Sequence, residues 1–558
     1  MSFRTKLFGS ASAVLLIGAA SGAAFADPGS VQNQDNWNLD MVDLRHQTMR
    51  QVVERGRGAR DDGSRRVNTI NGSYSNGMLG LSHDQQNNGN NNAIGVASNV
   101  LVNTGNDDNI DQNLYIRGIS RNGTYIDTPL NRASTTALRT NLITDAYKNV
   151  QGVFDVQQNN GDGNVMGIGD VVSANLGPVQ FGQNGAAHAD TAQKVRVSGL
   201  VDNNNSTDTD FFANPAATGE RLNTINDRAF ENFLGLASVQ QNNGNGNVIQ
   251  VGTAVIADIG ASFTPTTDPE EASIEIKADG RVRNSTATSS FESAGPPPSD
   301  RNNRITNAFR GPVSGIVNAQ QNNGDNNSMN VANAVRAAYM IPADIDQVGA
   351  SSVWTVGESS DNVAMDTDQD RNNLISGRSF EGATGMFTVQ QNNGDNNAMN
   401  TATGVVASLF TVGVDGDGVM AGAAARATVS GNESTVSTNS DRLNTLNDRV
   451  FKNALGIATV QQNNGDNNVV NASKAIVVAV GTDGGFAGFD GDVMTDALLT
   501  ATVTGNTATI AGTSGAPGYA NVLTDSFQDF KGIKTVQQNN GNNNAIQSTV
   551  TVVGNITP

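Results

Sequence analysis

Short apolar runs broken by amide-rich polar clusters recur along the chain. The segment from Gly456 to Val480 shows the pattern in full. Gly456-Ile457-Ala458-Thr459-Val460 leads into a polar cluster, and Val469 to Val480 leads out of it through Ala475-Ile476-Val477-Val478. Between the runs, Asn463-Asn464-Gly465-Asp466-Asn467 carries turn chemistry, because Asn and Gly tolerate positive φ, and N-G between apolar runs predicts a hairpin or an arch. A helix through this region would hold repeated Asn and Gly, each costly relative to alanine. The pattern therefore predicts strand, turn, strand. Other intervals carry β patterning as well: Ile274-Glu275-Ile276-Lys277 alternates as a half-exposed strand does. Val195 to Gly199, Val429 to Asn432, Val503 to Asn506, Tyr115 to Gly118 and Trp354 to Gly357 repeat a short V-x-G-like motif. Variable polar loops are expected at Thr264 to Glu271 and at Gly295 to Pro298. Each unit is thus expected to carry three or four strands. Near the N-terminus, Met41 to Arg60 spaces Arg45, Arg50, Arg55, Arg57 and Arg60 among apolar residues, which permits a short amphipathic helix.

The polar cluster is itself periodic. QQNNG begins at Gln85, Gln157, Gln240, Gln320, Gln390, Gln461 and Gln537, at spacings of 72, 83, 80, 70, 71 and 76 residues. A period of this kind is the signature of an array of similar units. Nineteen residues before the first Gln stand Arg66, Arg221, Arg301, Arg371 and Arg442. Seventeen before it stand Asn68, Asn223, Asn303, Asn373 and Asn444. At minus 15 come Ile70, Leu142, Ile225, Ile305, Ile375 and Leu446, and at minus 10 the aromatics Tyr147, Phe230, Phe380, Phe451 and Phe527. Glycine holds minus 5 in every unit, from Gly80 to Gly532. The expected fold is all-β: a repeat protein, a β-solenoid or stacked β-arches, built from seven imperfect units. The expected layout is a signal peptide at 1–26, a leader at 27–65 and the array at 66–558.

Composition narrows the function. Arg4 and Lys6, an apolar run from Ala11 to Ala20 and Ala24-Phe25-Ala26 make an export signal. The run is short of the ~20 apolar residues that span a bilayer, and no other segment predicts a transmembrane span. The chain is expected to be secreted, extracellular or on the cell surface. There are no cysteines and only three histidines, so thiolate metal sites are excluded and a catalytic histidine has few candidates. A net charge of -19 repels nucleic acid. No H-E-x-x-H, G-x-S-x-G or P-loop pattern occurs, and an active site is usually built once rather than seven times; the expectation is a non-enzyme without a cofactor. Calcium is the alternative role for the acids of Asp415-Gly416-Asp417-Gly418, Asp483-Gly484-Gly485 and Asp490-Gly491-Asp492, although these lack the full spacing of a calcium loop.

Stacked units would place each repeated amide over its counterpart, about 4.7–4.8 Å away, so that side chains donate one way and accept the other. The ladder candidates are Gln85, Gln86, Gln157, Gln158, Gln240, Gln241, Gln320, Gln321, Gln390, Gln391, Gln461, Gln462, Gln537 and Gln538. Exposed hairpin tips are the rival explanation, but a tip needs N-G and has no need of a Q-Q pair. The turn glycines are Gly89, Gly161, Gly244, Gly324, Gly394, Gly465 and Gly541. After them come Asp162, Asp325, Asp395 and Asp466, where stacked like charges are expected to repel and to act as gatekeepers against premature aggregation, so that acid or divalent cations speed assembly.

The phrase F-x4-G-x3-V-Q-Q-N-N-G-D-N-N resembles the imperfect Q/N/G repeats of secreted bacterial functional amyloids, curlin subunits and Fap fibre subunits being the nearest types. The resemblance covers the seven cores, roughly 35 residues each, and the export signal. It departs from curlins in the long interval between repeats, and from Fap in having seven repeats and no C-terminal C-x-x-C. The resemblance implies a biofilm-matrix or surface fibre, assembled from copies of itself, with outer-membrane export or nucleator proteins as partners. The alternative is a monomeric secreted adhesin that binds polysaccharide or a surface through its repeat face.

Overall fold

The computed structural model describes residues 46–556 except 55–58, 62–65, 72–78, 90–91, 104–109, 122–123, 128–137, 179–190, 213–219, 262–269, 294–299, 341–346, 368–369, 411–418, 438–439, 482–492 and 512–517. The export signal, most of the expected leader and the three calcium-like turns lie outside the described residues. So do the loop at Gly295 to Pro298 and most of the loop expected at Thr264 to Glu271, while Glu270 and Glu271 already belong to a strand.

All assigned elements among the described residues are strands, and they form five parallel sheets of seven strands each. Every fifth strand returns to the same sheet, so one unit is one coil of a solenoid and contributes one strand to each sheet. In the sixth coil these strands are Val419–Ser430, Glu433–Ser437, Arg442–Leu446, Leu455–Asn463 and Val469–Gly481. Three or four strands per unit were expected and five are found. The additional short strands, such as Glu433–Ser437, are too brief to show a period of their own. Because the strands flanking the polar cluster lie in different sheets, the turn is an arch and not a hairpin.

The first coil begins upstream of Arg66. His46–Glu54 pairs in parallel with Ile110–Arg121, and Ala59–Asp61 pairs with Thr124–Asp127. Of the stretch from Met41 to Arg60, whose spacing permits a helix, the described residues are strands: pairing with the next coil, which the local pattern does not record, overrides helical spacing. The array accordingly starts at least at His46, and the 65/66 boundary cuts through its first coil.

Register is maintained through the whole stack. Although the spacing differs from coil to coil, the fourth strands align Gln85, Gln157, Gln240, Gln320, Gln390, Gln461 and Gln537 residue on residue. Stacked apolar columns form the core, three of them between facing sheets. Between the third and fourth sheets run Ile225, Ile305 and Ile375 with a file of aromatic rings. Between the first and fifth sheets run small aliphatics such as Val197, Ile276 and Ala423. Val153, Leu236, Ile316 and Met386 pack between the fourth and fifth. Identical positions repeat at the rung spacing of about 4.7–4.9 Å, so each column needs only one side-chain choice.

The aromatic file is Tyr147, Phe230, Phe309, Phe380, Phe451 and Phe527, with ring centroids 4.6–5.1 Å apart and planes within 5–24°. Phe309 escaped the fixed spacing because it stands one residue nearer the third strand in a turn of unchanged length, with Gly311, at φ +84°, on the way to Gly315. In the second unit the turn itself is one residue shorter. There Asn141 and Ile143 occupy the asparagine and isoleucine columns, so Ile143 and not Leu142 pairs with Ile225.

Candidate functional site

The fourth strand of each coil ends on Gln-Gln-Asn, and the arch begins at the second Asn. In coils two to six both glutamines and both asparagines are fully buried, which excludes exposed tips. Burial of amides is tolerable only if every donor finds an acceptor, and the in-register stack supplies them. The first Gln of each coil donates from Nε2 to Oε1 of the first Gln in the next coil, at 2.8–3.1 Å. The second Gln donates the opposite way, to the preceding coil, at 2.7–2.8 Å. The first Asn also donates backward, at 2.9 Å. The second Asn donates forward, at 2.9–3.1 Å. Two ladders run up the axis and two run down, so their amide dipoles oppose one another.

A fifth ladder locks the third sheet to the arch. Asn68, Asn141, Asn223, Asn303, Asn373, Asn444 and Asn521 each stand in line, and each donor of the file reaches the next Asn at 2.9–3.0 Å. The same Nδ2 of Asn373 also donates to Asn393 Oδ1 at 2.8 Å and to the Asn392 carbonyl at 3.0 Å.

The turn glycines serve a purpose other than the expected one. None of the seven has positive φ. That conformation falls two residues later, on Gly163, Gly246, Asn326, Asn396, Asn467 and Asn543, at φ +56° to +67°. The pentapeptide glycine is instead a point of close approach: a β-carbon on Gly394 would stand 1.9 Å from the Gly465 carbonyl oxygen. The minus-5 glycines combine both demands, since Gly385 has φ +140° and its β-carbon would lie 1.9 Å from the Gly315 carbonyl oxygen.

The four acids do not stand as unscreened charges. Asp162, Asp325, Asp395 and Asp466 are all buried, and the arginine column that precedes each arch turns inward to meet them. Arg139 contacts Asp162 at 3.3 Å, and Arg301 contacts Asp325 at 2.8 Å. Arg371 reaches Asp395 and also Asp325 at 3.2 Å, one coil back, while Arg442 bonds Asp466 and reaches back to Asp395 at 2.8 Å. Asp325, Asp395 and Asp466 each also accept a backbone N–H from the preceding coil, as Asp325 N donates to Asp395 Oδ1 at 2.7 Å. Asn245 and Asn542 accept the same bond, which explains why Asp and Asn interchange there. Burial alone would raise the Asp395 carboxyl, but Arg371 and Arg442 outweigh it and hold the group below the ordinary range. The expected repulsion is thus cancelled inside the molecule. The sequence showed both columns, the arginine at minus 19 and the acid after the glycine; only the arch geometry joins them. Asp366, which no repeat position marks, sits among Arg371 and Arg442, and its burial pushes it up to about 6. In the last coil Tyr519 takes the arginine position and lies under the Arg442 guanidinium, 5.2 Å from ring centroid to cation.

A second polar column crosses the interior between the fourth and fifth strands. In the fourth coil Asn333 donates to Asn318 at 2.7 Å. In the sixth, Lys474 donates to the Ala458 carbonyl at 2.7 Å and to Thr459 at 2.6 Å, and burial lowers its ammonium to about 7. In the second coil the column holds two fully buried carboxyls, Asp155 and Asp170. Burial lifts Asp155 to about 7, and burial and Asp155 drive Asp170 well upward. His83 Nδ1 lies 2.9 Å from Asp155.

What the arrangement offers chemically is hydrogen bonding along one axis. Among the described residues no three His, Asp or Glu side chains converge as a metal site would require, and no helix is long and apolar enough to cross a membrane. No protein-family model, curated protein or solved structure matches the chain.

Proposed function

We propose that the protein is an extracellular structural subunit that self-assembles end to end into amyloid-like fibres, coil upon coil, through its amide ladders. The observation that carries this is the outer side of the seventh coil. Its strands Val493–Thr504, Thr507–Ala511, Tyr519–Leu523, Lys531–Asn539 and Ala545–Ile556 each have one neighbour and, among the described residues, no strand beyond. Every earlier coil covers the same edge with the next coil. Gln538 is exposed there, and Gln85 is exposed at the opposite end. The surface that coil seven leaves open is therefore the one that coil one of another copy is shaped to continue, with Gln537-Gln538-Asn539-Asn540-Gly541 meeting Gln85-Gln86-Asn87-Asn88-Gly89. Open parallel edges of this length are templates for further strands, and identical amides in register favour stacking between chains as within one. The Q/N/G resemblance of the repeats, export in the N-terminal signal, and a biofilm or surface setting belong to the same proposal.

The test is to hold the purified chain without its first 26 residues at high concentration. Thioflavin-positive, SDS-resistant filaments with a meridional spacing of about 4.7–4.8 Å are expected. A protein that stays monomeric at every concentration would refute the assignment.

A further inference from the structure

The outward face of the first sheet breaks the charge balance of the rest of the chain. In coils two to four this sheet is formed by Ile110–Arg121, Thr191–Asp202 and Glu270–Arg283, paired in register. At the outward positions from Asn113 to Arg121 and their register partners stand seven Arg or Lys side chains against three carboxylates, on a chain of net charge -19. A cavity of about 260 Å³ opens on this face, lined by Tyr115, Arg117, Arg196, Asp279, Arg281 and Arg283.

Its cations are of two kinds. Five are paired: Arg281 is held by Asp279 through two bonds of 2.9 Å, Lys277 lies 3.6 Å from Asp279, Lys194 pairs with Glu275, Arg121 lies 3.7 Å from Asp202, and Arg283 pairs with Glu358. Arg117 and Arg196 have no carboxylate partner among the described residues; Arg196 lies over the Tyr115 ring, 5.9 Å from its centroid. Along the axis one row reads Tyr115, Arg196, Lys277, Trp354, one residue per coil. Trp354 is 46% exposed, so the row is two cations between two aromatic faces, spanning three rung steps of about 4.8 Å each.

We infer that this face binds an anionic polysaccharide, a chain of carboxylate-bearing sugar rings laid along the solenoid axis. Free guanidinium forks match carboxylates, and the exposed Trp354 ring offers a flat apolar face to a sugar ring. Asp279, Glu275 and Asp202 are each paired with a cation of the face and keep further oxygen lone pairs for hydroxyl donors, which a polyuronate possesses. A polyphosphate backbone has no hydroxyl donors to offer those carboxylates. The site is independent of the fibre assignment, because its residues point away from the ladders.

Binding is measured on freshly dissolved monomer, with polygalacturonate, neutral dextran and duplex DNA as probes. Polygalacturonate is expected to bind at low salt, dextran and DNA not to. Substituting Arg117→Ala with Arg196→Ala should weaken polygalacturonate by about tenfold or more while the β circular-dichroism spectrum is kept. Undiminished binding by that variant, equal retention of dextran, or tighter binding of DNA would overturn the assignment. A salt titration of the unmodified chain decides it separately: binding that does not weaken as salt rises would also overturn it.

Discussion

At Gly394 a β-carbon would press within 1.9 Å of a backbone carbonyl, whereas at Gly382, with φ +70°, nothing stands within 4 Å. Gly394→Ala is therefore expected to cost about 3 kcal/mol or more, and Gly382→Ala about 1 kcal/mol, the cost of strained φ alone. Urea denaturation of the two variants checks the contrast; equal losses would mean that close approach is not what the pentapeptide glycine answers. The buried acids predict a pH dependence. Asp155 is raised to about 7 by burial, while its unfolded value is near 3.8, so the folded state retains a proton that the unfolded chain has lost between those values. Stability should fall as pH rises from about 4 to about 7. The groups facing it are Asp170, His83 and Ser98, with Thr253 beyond Asp170 and Asp84 near His83. Asp155→Asn should flatten that fall, and an unchanged pH profile would rule out the pair as its source. Asp395 acts in the opposite sense, since its depressed carboxyl contributes stability that is lost only as pH drops through its folded value.

At the scale of the element, the third strand and the arch form one unit, tied by Asn373 to the amides and by Arg371 to Asp325, Asp366 and Asp395. Removing one member of a buried charge network leaves the others unpaired, so Arg371→Ala should cost about 3–5 kcal/mol. The measurement is the urea midpoint, and a loss no larger than that of an exposed arginine such as Arg378→Ala would show the network to be idle. Strand content was legible because β patterning and turn residues flank every QQNNG. The expectation of repelling acids weighed one stacked position by itself, while the neutralising arginine arrives from a strand some 24 residues earlier. Phe309, Asn141 and Ile143 were missed for a related reason: a fixed offset fails where a turn loses a residue, as before Gln151, or places its ring one position earlier, as at Phe309, and stacking restores the column.

At the scale of the molecule, equal coils imply modularity. Deleting residues 349–418 removes one period, because Val419 then takes the register place of Gly349 over Ala272. The six-coil chain is expected to fold cooperatively and to be shorter along its axis by one rung, about 4.8 Å. Small-angle scattering and denaturation test this; a collapsed or aggregated product would mean that the coils are not interchangeable. The same equality supports addition of another copy at coil seven, since the fold has no preferred length.

The chain's own order of residues determined the number of units, their β character and the amides that would align, because each follows from a repeat and a local preference. Tertiary structure alone decided that a coil has five strands, that His46–Glu54 belongs to it, and that arginine and aspartate meet. Those outcomes depend on which segments lie one coil above another, and vertical neighbours some 70 to 83 residues away are recorded in no local pattern.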